Sequence, residues 1–266
     1  MARVLAISSQ VVRGHVGNSA AGFALQRMGH EVWVMPTVVL SNHPGHPHAA
    51  GTRITPETLR DMLSALGRNG WLGELDAVMT GYLPTAEHVR FAAETVTQLR
   101  GRRPELVVLV DPVLGDDPGG LYVAASAADA VREHLIPLAD ITTPNRFELA
   151  FLAAAEVTDS ASAGLAAARL GPPQVLATSI PAAGEESLCN LLWQRAGSAT
   201  REVPRLAAVP HGTGDLLAAL YLGHVLRGTQ PAEAMWRSVA GVAVAIQASQ
   251  EADELQLVGS QERWSA

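Results

Sequence analysis

The sequence predicts an α/β fold with a mostly parallel central sheet that is covered by helices on both faces. Short apolar runs rich in β-branched residues alternate with longer amphipathic segments along most of the 266 residues. Parallel strands need a crossover between them, and the amphipathic segments are long enough to supply it as helices. No repeat and no linker-like stretch interrupts the alternation, so we expect one domain over residues 1–266.

The apolar runs have the length of buried strands, and proline, glycine or capping residues bound the segments between them. After the last parallel strand, residues 187–194 and 200–206 are predicted to form an antiparallel hairpin at one edge of the sheet. Two helices, 213–226 and 231–249, are predicted to finish the fold. The other predicted strands cover residues 3–8, 31–39, 76–80, 106–110, 141–142 and 174–178, and the helices between them cover residues 18–28, 56–65, 85–99, 127–135, 145–152 and 160–170.

The composition excludes several classes of function. All 19 basic residues are arginine, so neither a P-loop lysine nor a lysine Schiff base to pyridoxal phosphate can exist. The net charge of −7 and the absence of a basic run argue against nucleic acid or an anionic membrane as the main partner. The single cysteine, Cys189, has apolar neighbours and is predicted to be a packing residue. The N-terminal apolar run is too short for a signal peptide, and we expect a cytoplasmic protein.

The most specific chemistry lies in the turn Pro210-His211-Gly212-Thr213-Gly214-Asp215, which leads directly into an apolar helix. Glycines let the backbone approach a bound group, and a helix N-terminus presents unpaired N–H groups, so this turn is suited to an anion. A carboxylate beside an anion is unfavourable unless it takes part in the chemistry. Asp215 can accept the proton of a hydroxyl that attacks phosphorus; the alternative is an ordinary glycine-rich turn with Asp215 as a helix cap.

Polar residues follow several predicted strands at the ends where a parallel sheet binds its ligands. Asp111, Asp116, Asn145 and Glu148 follow the fourth and fifth strands and carry the oxygen atoms that Mg²⁺ requires when it binds nucleotide phosphates. Each has a simpler explanation as a turn or helix-capping residue. The group taken together with Asp215 indicates a site, in which the expected metal ligands are Asp111, Asp116 and Glu148.

The segment Ser41-Asn42-His43-Pro44-Gly45-His46-Pro47-His48 holds three histidines but no carboxylate or cysteine that could complete a metal site. Its length and its place after a strand indicate a flap over a substrate pocket. The glycines at positions 14, 17 and 22 lack the spacing of a dinucleotide-binding fingerprint, so a Rossmann site is not expected.

Over nearly its whole length the chain resembles the pyridoxal (pyridoxine, pyridoxamine) kinases of the ribokinase-like superfamily. The Gly-Thr-Gly-Asp turn marks the superfamily, whereas residues 8–21 and 40–43 resemble segments specific to kinases of B6 vitamers. The resemblance implies a ribokinase-like three-layer α/β/α sandwich. It also implies ATP-dependent phosphorylation of the 5′-hydroxymethyl group of a B6 vitamer, in vitamin B6 salvage. The other matching segments are residues 80–82, 111–116, 137–145 and 254–258.

The resemblance implies roles for individual residues as well. Asp215 resembles the catalytic base, and Gly212, Thr213 and Gly214 resemble the anion hole for the transferring phosphoryl group. Family members use Mg²⁺ with ATP, often need a monovalent cation such as K⁺, and form homodimers. The implied substrate contacts are Ser9, Thr37, His43, Tyr82 and Asp215, and the implied nucleotide contacts are Asp111, Asp116, Tyr122, Thr143, Asn145, Glu148, Thr178, Ser179, Leu206, Gly212 and Thr213.

The chain departs from the family pattern after Ser-Asn-His, where an aromatic residue commonly precedes a glycine. Residues 44–51 hold proline, histidine and alanine instead, so closure of the flap and the preference among vitamers stay open. Two other functions stay open too. One is a related small-alcohol kinase, for instance for hydroxymethylpyrimidine, and the other is a vitamer-binding protein without catalysis.

Overall fold

The computed structural model describes residues 1–184, 186–206 and 209–265. Strands and helices alternate along the chain, as the pattern of apolar and amphipathic segments predicts. The strands are β1 (Arg3–Val11), β2 (Glu31–Leu40), β3 (Gly51–Arg53), β4 (Ala77–Thr80), β5 (Val107–Val110), β6 (Gly115–Asp116), β7 (Gly120–Leu121), β8 (Ile141–Thr142), β9 (Gln174–Pro181), β10 (Ser187–Gln194) and β11 (Gly197–Pro204). The helices are α1 (Asn18–Arg27), α2 (Pro56–Arg68), α3 (Ala86–Arg100), α4 (Ala125–Ala130), α5 (Arg146–Ala153), α6 (Ser160–Leu170), α7 (Thr213–Leu226), α8 (Pro231–Ala248) and α9 (Leu257–Trp264).

The large sheet has the strand order β11-β10-β9-β8-β5-β4-β1-β2-β3. The strands from β2 to β9 in this order are parallel, because helices supply the crossovers between them. β10 and β11 form an antiparallel hairpin at one edge. The predicted mostly parallel sheet with an edge hairpin is therefore confirmed. β6 and β7 pair separately as a small hairpin that follows β5.

The second strand and the loop after it differ from the prediction. The predicted strand ends at residue 39, and β2 continues one residue further, to Leu40, because the apolar, β-branched run continues. β3 then returns antiparallel to β2 at the edge of the sheet. The loop is therefore residues 41–50, and the sheet fixes both of its ends.

Side-chain alternation along the parallel strands divides the core into two layers. Leu5 and Ile7 of β1 pack in the layer of α2, α3 and α4, whereas Val4 packs in the layer of α1, α7, α8 and α9. A further cluster joins α5 and α6 to β9 and β10. This is the α/β/α sandwich that the resemblance implies. Among the described residues, none of the helices has both the length and the apolar character that a membrane span needs.

Two bulges interrupt the sheet near the carboxyl ends of its strands. β2 carries one residue more than β1 around Thr37, and β9 carries one more than β10 around Thr178 and Ser179. Bulges redirect side chains and are common beside functional sites. All three residues are among the substrate or nucleotide contacts that the resemblance implies.

The chain ends in a helix, α9, that the sequence pattern does not predict. It is 8 residues long and would be unstable alone, so its helical form depends on packing. Leu257 and Trp264 are buried against α8, and the Trp264 indole N–H donates to the Leu257 carbonyl over 2.8 Å. Gly241 of α8 makes the close approach possible, because a Cβ atom there would lie 2.7 Å from the Trp264 carbonyl oxygen.

We predict that Trp264→Ala lowers the free energy of unfolding by about 3–5 kcal/mol, because it empties the space of a large buried ring. Trp264 is 2% exposed, whereas Trp236 on α8 is 43% exposed. Trp236→Ala is therefore the matched control and should change the free energy by about 0.5 kcal/mol or less. Urea unfolding measures both variants, and equal losses would contradict the packing of α9 in the core.

Candidate active site

The glycine-rich turn forms the N-terminus of α7, as the sequence predicts. Helix α7 begins at Thr213, and Gly212 precedes it in the left-handed conformation with φ 96° and no side-chain cap. The first-turn N–H groups of a helix have no partner within it, so they face whatever lies before the turn. Gly212 is required for a second reason: a Cβ atom there would lie 1.8 Å from the His15 carbonyl oxygen.

Asp215 lies in the first turn of α7, behind the anion-binding turn. Its carboxylate accepts a hydrogen bond from the Gly17 N–H. Burial raises the pKa of Asp215 to about 6, and the Gly17 N–H opposes that rise. A carboxylate whose pKa is close to the pH of the cell can take up a proton and still be ionised in the resting state.

Asp111 follows β5 and is buried, with 6% of its surface exposed. The Thr143 hydroxyl donates to its Oδ1 atom over 2.8 Å. Burial and the Asp215 charge together raise the pKa of Asp111 to about 7, against the opposing effect of the Thr143 hydrogen bond. The two carboxylates are therefore close enough to interact electrostatically. None of the contacts described for them comes from a positively charged side chain.

Glu148 is also buried, but backbone N–H groups hold its carboxylate. It accepts from Leu114 and Asn145, each over 2.9 Å, while the Asn145 side chain accepts from the Glu148 N–H in a capping box at the start of α5. The Asn145 amide also donates to the Gly115 carbonyl over 2.8 Å. Burial and the Asp111 charge raise the pKa of Glu148 well above its usual range. Both of the simpler explanations for Asn145 and Glu148, as a cap and a capping box, are thus correct, and any ligand role comes in addition.

The acidic group suits a hard cation such as Mg²⁺. Within the part of the chain that the structure describes, no three histidine, cysteine or acidic residues converge as a complete metal site. Mg²⁺ differs from zinc in needing only one or two carboxylates, because water and substrate phosphates supply its other ligands. The charge on Asp111, buried and repelled by Asp215, is what such a cation would offset. The oxygen donors of Asp111, Asp116 and Glu148 therefore fit the ion chemically.

Other predicted nucleotide contacts surround this acidic group. Tyr122 follows β7 and is 53% exposed, and burial of its hydroxyl together with the charges of Glu148, Asp111, Asp116 and Asp215 raises its pKa. The Tyr122 hydroxyl is therefore within the electrostatic influence of the four carboxylates. Asp116, on the hairpin of β6 and β7, is exposed.

The remaining predicted nucleotide contacts lie at the end of β9, except one. Thr178 pairs with Asn145 in an isolated parallel bridge, and its N–H donates to the Pro144 carbonyl over 2.9 Å. Ser179 is exposed and has a φ of 58°, which is a strained conformation for a residue other than glycine. Leu206 is 41% exposed beyond β11. Nothing in the described contacts brings Leu206 to the others, and its role stays a prediction.

The opposite side of Asp215 is formed by the ends of β1, β2 and β4. The Thr37 hydroxyl donates to the Tyr82 carbonyl over 2.8 Å, and the Tyr82 N–H donates to the Ser8 hydroxyl over 3.0 Å. Gly81 lies between Ser8 and Asp215 and leaves no room for a side chain. A Cβ atom there would lie 2.5 Å from the Ser8 hydroxyl oxygen and 3.9 Å from an Asp215 carboxylate oxygen. We call this region the acceptor side.

Two predicted substrate contacts on the acceptor side, Thr37 and Ser9, have contacts within the protein itself. Thr37 is fully buried and its hydroxyl is used by Tyr82, so it supports Tyr82 from behind. Ser9 packs against Gly17, where a Cβ atom would lie 2.2 Å from its hydroxyl oxygen. Ser8 and Gly81, which sequence reasoning did not single out as site residues, connect these groups to Asp215. Their place in the segments 8–21 and 80–82 was the available signal.

The histidine-containing loop reaches the anion-binding turn. The rings of His43 and His211 stack with centroids 3.8 Å apart and an angle of 23° between their planes. Burial, together with the charges of His211 and His46, lowers the pKa of His43 to about 4. A neutral ring stacked on the residue before Gly212 is the geometry of a flap. The prediction that this loop covers a pocket gains support from that contact.

With this geometry established, comparison with known proteins identifies the family. A model of the family described as phosphomethylpyrimidine kinase matches residues 30–258. The protein of Rubrobacter xylanophilus named pyridoxal kinase PdxY is 38% identical over 97% of this chain and 92% of its own length. This chain belongs to the pyridoxal kinase family.

Solved structures of the family agree with the fold. Pyridoxal kinase from Leishmania donovani in complex with ADP and pyridoxine has a TM-score of 0.92 and 35% identity, over 98% of this chain and 94% of that one. Its complex with ADP and pyridoxamine has the same TM-score and identity, over 98% and 95% of the two chains. The resemblance and the ribokinase-like fold class are therefore confirmed. The roles of individual site residues stay predictions.

We predict that Gly212→Ala is far more destabilising than Gly228→Ala. Both glycines have positive φ values, 96° and 81°, so both variants incur about 1–2 kcal/mol of backbone strain. A Cβ atom at Gly228 would meet nothing within 4 Å, whereas at Gly212 it would collide with the His15 carbonyl. The collision should add about 1–3 kcal/mol, measured by urea unfolding. Equal losses would show that the two loops do not pack as described.

The raised pKa of Asp111 predicts how stability depends on pH. An acid that binds its proton more tightly when folded loses stability as pH rises from its unfolded pKa, near 4, through its folded pKa of about 7. Asp111→Asn removes this loss and keeps an acceptor for Thr143. The variant should therefore be more stable than the original chain at pH 8, by a difference on the order of 3 kcal/mol, and similar to it at pH 4.5.

Thermal or urea unfolding at the two pH values tests this prediction. The control is Asp116→Asn, because Asp116 is exposed and its neutralisation should leave the pH dependence unchanged. A destabilised Asp111→Asn variant at pH 8 would contradict the interpretation of Asp111 as an uncompensated buried charge.

Proposed function

We propose that this protein transfers the γ-phosphoryl group of ATP to the 5′-hydroxymethyl group of a B6 vitamer: pyridoxal, pyridoxine or pyridoxamine. The observation that carries the proposal is the position of Asp215. It lies between the anion-binding turn of α7 and the acceptor side, with a pKa of about 6. Family membership supports the same activity, because relatives at 38% identity are named pyridoxal kinases.

The residues divide the reaction between them. The acceptor hydroxyl binds between Asp215 and the γ-phosphorus, and Asp215 takes its proton as the oxygen attacks. The new O–P bond forms as the bond between phosphorus and the β–γ bridging oxygen breaks, and that oxygen leaves with ADP. The N–H groups of Thr213 and Gly214 are fixed donors toward the charge on the transferring group. Holding both reactants in line is the larger part of catalysis in this class of reaction.

The cation would be bound on the phosphate side of the site. Asp111, Asp116 and Glu148 are the residues proposed to hold Mg²⁺, directly or through water, together with the ATP phosphates. When bound, Mg²⁺ supplies positive charge that screens the phosphates from the acidic residues and from the attacking oxygen. We also propose the use of a monovalent cation such as K⁺ and assembly as a homodimer, both from the family resemblance. A single domain acting in the cytoplasm fits the lone cysteine.

The remaining proposed contacts orient the two substrates. Thr143, Asn145, Thr178, Ser179 and Tyr122 line the nucleotide side beside the acidic group, and Leu206 is proposed there from the resemblance alone. Ser9, Tyr82 and His43 are proposed contacts of the pyridine ring, with Thr37 supporting Tyr82 through its hydroxyl. The bulge at Thr37 lies on β2 and the bulge at Thr178 lies on β9, near opposite ends of the sheet. In the proposed arrangement the acceptor binds near the first bulge and the nucleotide near the second, with Asp215 between them.

We predict that Asp215→Asn lowers kcat for vitamer phosphorylation by about 10²–10⁴-fold, because an amide cannot take the hydroxyl proton. The affinity for Mg-ATP should change little, since Asn keeps the volume and the anion-binding turn is backbone. ADP release and phosphorylated product are measured with Mg-ATP and K⁺, and nucleotide affinity by calorimetry. Asp61→Asn, on the exposed face of α2, is the surface control and should keep full activity.

The choice of acceptor decides between the related functions. Pyridoxal, pyridoxine, pyridoxamine and hydroxymethylpyrimidine are assayed separately with the unmodified protein. Product from a B6 vitamer supports the proposal, and product from the pyrimidine alone would move the function to a kinase of that compound. Vitamer binding without any ADP release would make the chain a binding protein. Full activity of Asp215→Asn would rule out Asp215 as the base.

A further inference from the structure

The carboxylate of Glu254, near the C-terminus, lies where three separate segments of the chain meet. It is buried, with 7% of the residue exposed. Its Oε1 atom contacts the Arg13 guanidinium over 3.1 Å and His46 Nε2 over 2.9 Å. The neighbouring Asp253 contacts Arg13 over 2.7 Å and is largely exposed. Glu254 thus joins the C-terminal segment to the loop after β1 and to the flap.

The first connection runs from Glu254 to the anion-binding turn through the loop after β1. Gly14 has a φ of 94°, and a Cβ atom there would lie 2.4 Å from a Glu254 carboxylate oxygen, so the carboxylate packs directly on the loop backbone. His15 follows, and its Nδ1 atom lies 2.8 Å from the Leu255 carbonyl oxygen. The carbonyl of His15 is the group that packs against Gly212. The C-terminal segment therefore contacts the anion-binding turn indirectly, through the loop after β1.

The second connection runs through the flap to the same turn. His46 contacts Glu254, and His43, three residues earlier, stacks on His211. Gly45 between them has no room for a side chain, because a Cβ atom would lie 2.9 Å from His43 Nδ1 and 3.2 Å from His211 Nε2. The flap is thus held at two points, one on the C-terminal segment and one on the residue before Gly212.

We propose that His46 and Glu254 are positioning residues, whose hydrogen bond holds the flap so that His43 stays over the anion-binding turn and the bound acceptor. The pair is 30% and 9% exposed on its two side chains, so solvent and salt screen it less than a surface pair. A hydrogen bond to a charged carboxylate is stronger than a neutral one. The histidine-rich flap of this chain is therefore held by the hydrogen bond between His46 and the Glu254 carboxylate. This inference rests on the proposed function, because the acceptor is what the flap covers.

The kinetic test separates positioning from general stability. His46→Ala and Glu254→Gln should each raise KM for the vitamer by about tenfold, the loss of one charge-assisted contact, and leave KM for ATP and kcat unchanged. A merely structural role would instead lower kcat through a smaller folded fraction. The controls are His48→Ala, which changes an exposed histidine of the same flap, and Asp253→Asn, which changes the carboxylate that contacts Arg13 but is not paired with His46. Both controls should keep the original KM.

Hydrogen exchange tests the contact between His46 and Glu254 without any need for activity. In the protein free of substrates, backbone amides of residues 42–51 should exchange about tenfold faster in His46→Ala and Glu254→Gln than in the unmodified chain, and at the original rate in the two controls. Equal exchange in all of them overturns the inference. Faster exchange in a protein that phosphorylates no vitamer would support the contact between His46 and Glu254 and contradict only the proposed function.

Discussion

The site depends on carboxylates that are buried at the carboxyl edge of the sheet without a permanent positive partner. The Asp215 charge raises the pKa of Asp111, and the groups that oppose the raised pKa values of the two carboxyls are one threonine hydroxyl and two backbone N–H groups. Glu148 is better compensated, because two backbone N–H groups bind it. The free chain therefore holds unbalanced negative charge in a low-dielectric region, which lowers stability. A bound cation with its phosphates relieves that charge, so binding and stability are linked.

The geometry around this charge comes from contacts between segments that are distant in sequence. Gly212 packs on His15, and Gly81 packs between Ser8 and Asp215. At each of these points a glycine lets backbone or side chain approach within a distance that a Cβ atom would block. The turn before α7 is thus held by the loop after β1, and the loop is held by Glu254 from the far end of the chain. The position of Asp215 is therefore fixed by contacts from several distant segments of the chain.

Much of this could be predicted from the sequence, and the rest could not for physical reasons. The strands and helices follow from periodicity, and the position of the turn at the N-terminus of α7 follows from its glycines and the apolar segment behind it. α9 was missed because its helicity depends on burying Trp264, which local sequence does not show. The bulge at Thr37 could not be predicted, because a strand bulge leaves no clear local pattern. Glu254 drew no attention as a site residue, since its contacts with Arg13 and His46 arise only in three dimensions.

The absence of lysine explains why the backbone carries so much of the proposed site. A nucleotide-binding protein commonly places a lysine on the phosphates, and here no such side chain exists. Arg146, at the start of α5 beside the acidic group, is already paired with Asp117. Positive potential toward the phosphates then comes from the N-terminus of α7 and from a bound cation. A helix end cannot be moved or deprotonated as a lysine can, so its position must be fixed by packing. The tight packing of Gly212 against the His15 carbonyl, which leaves no room for a side chain at position 212, fixes the helix end in this way.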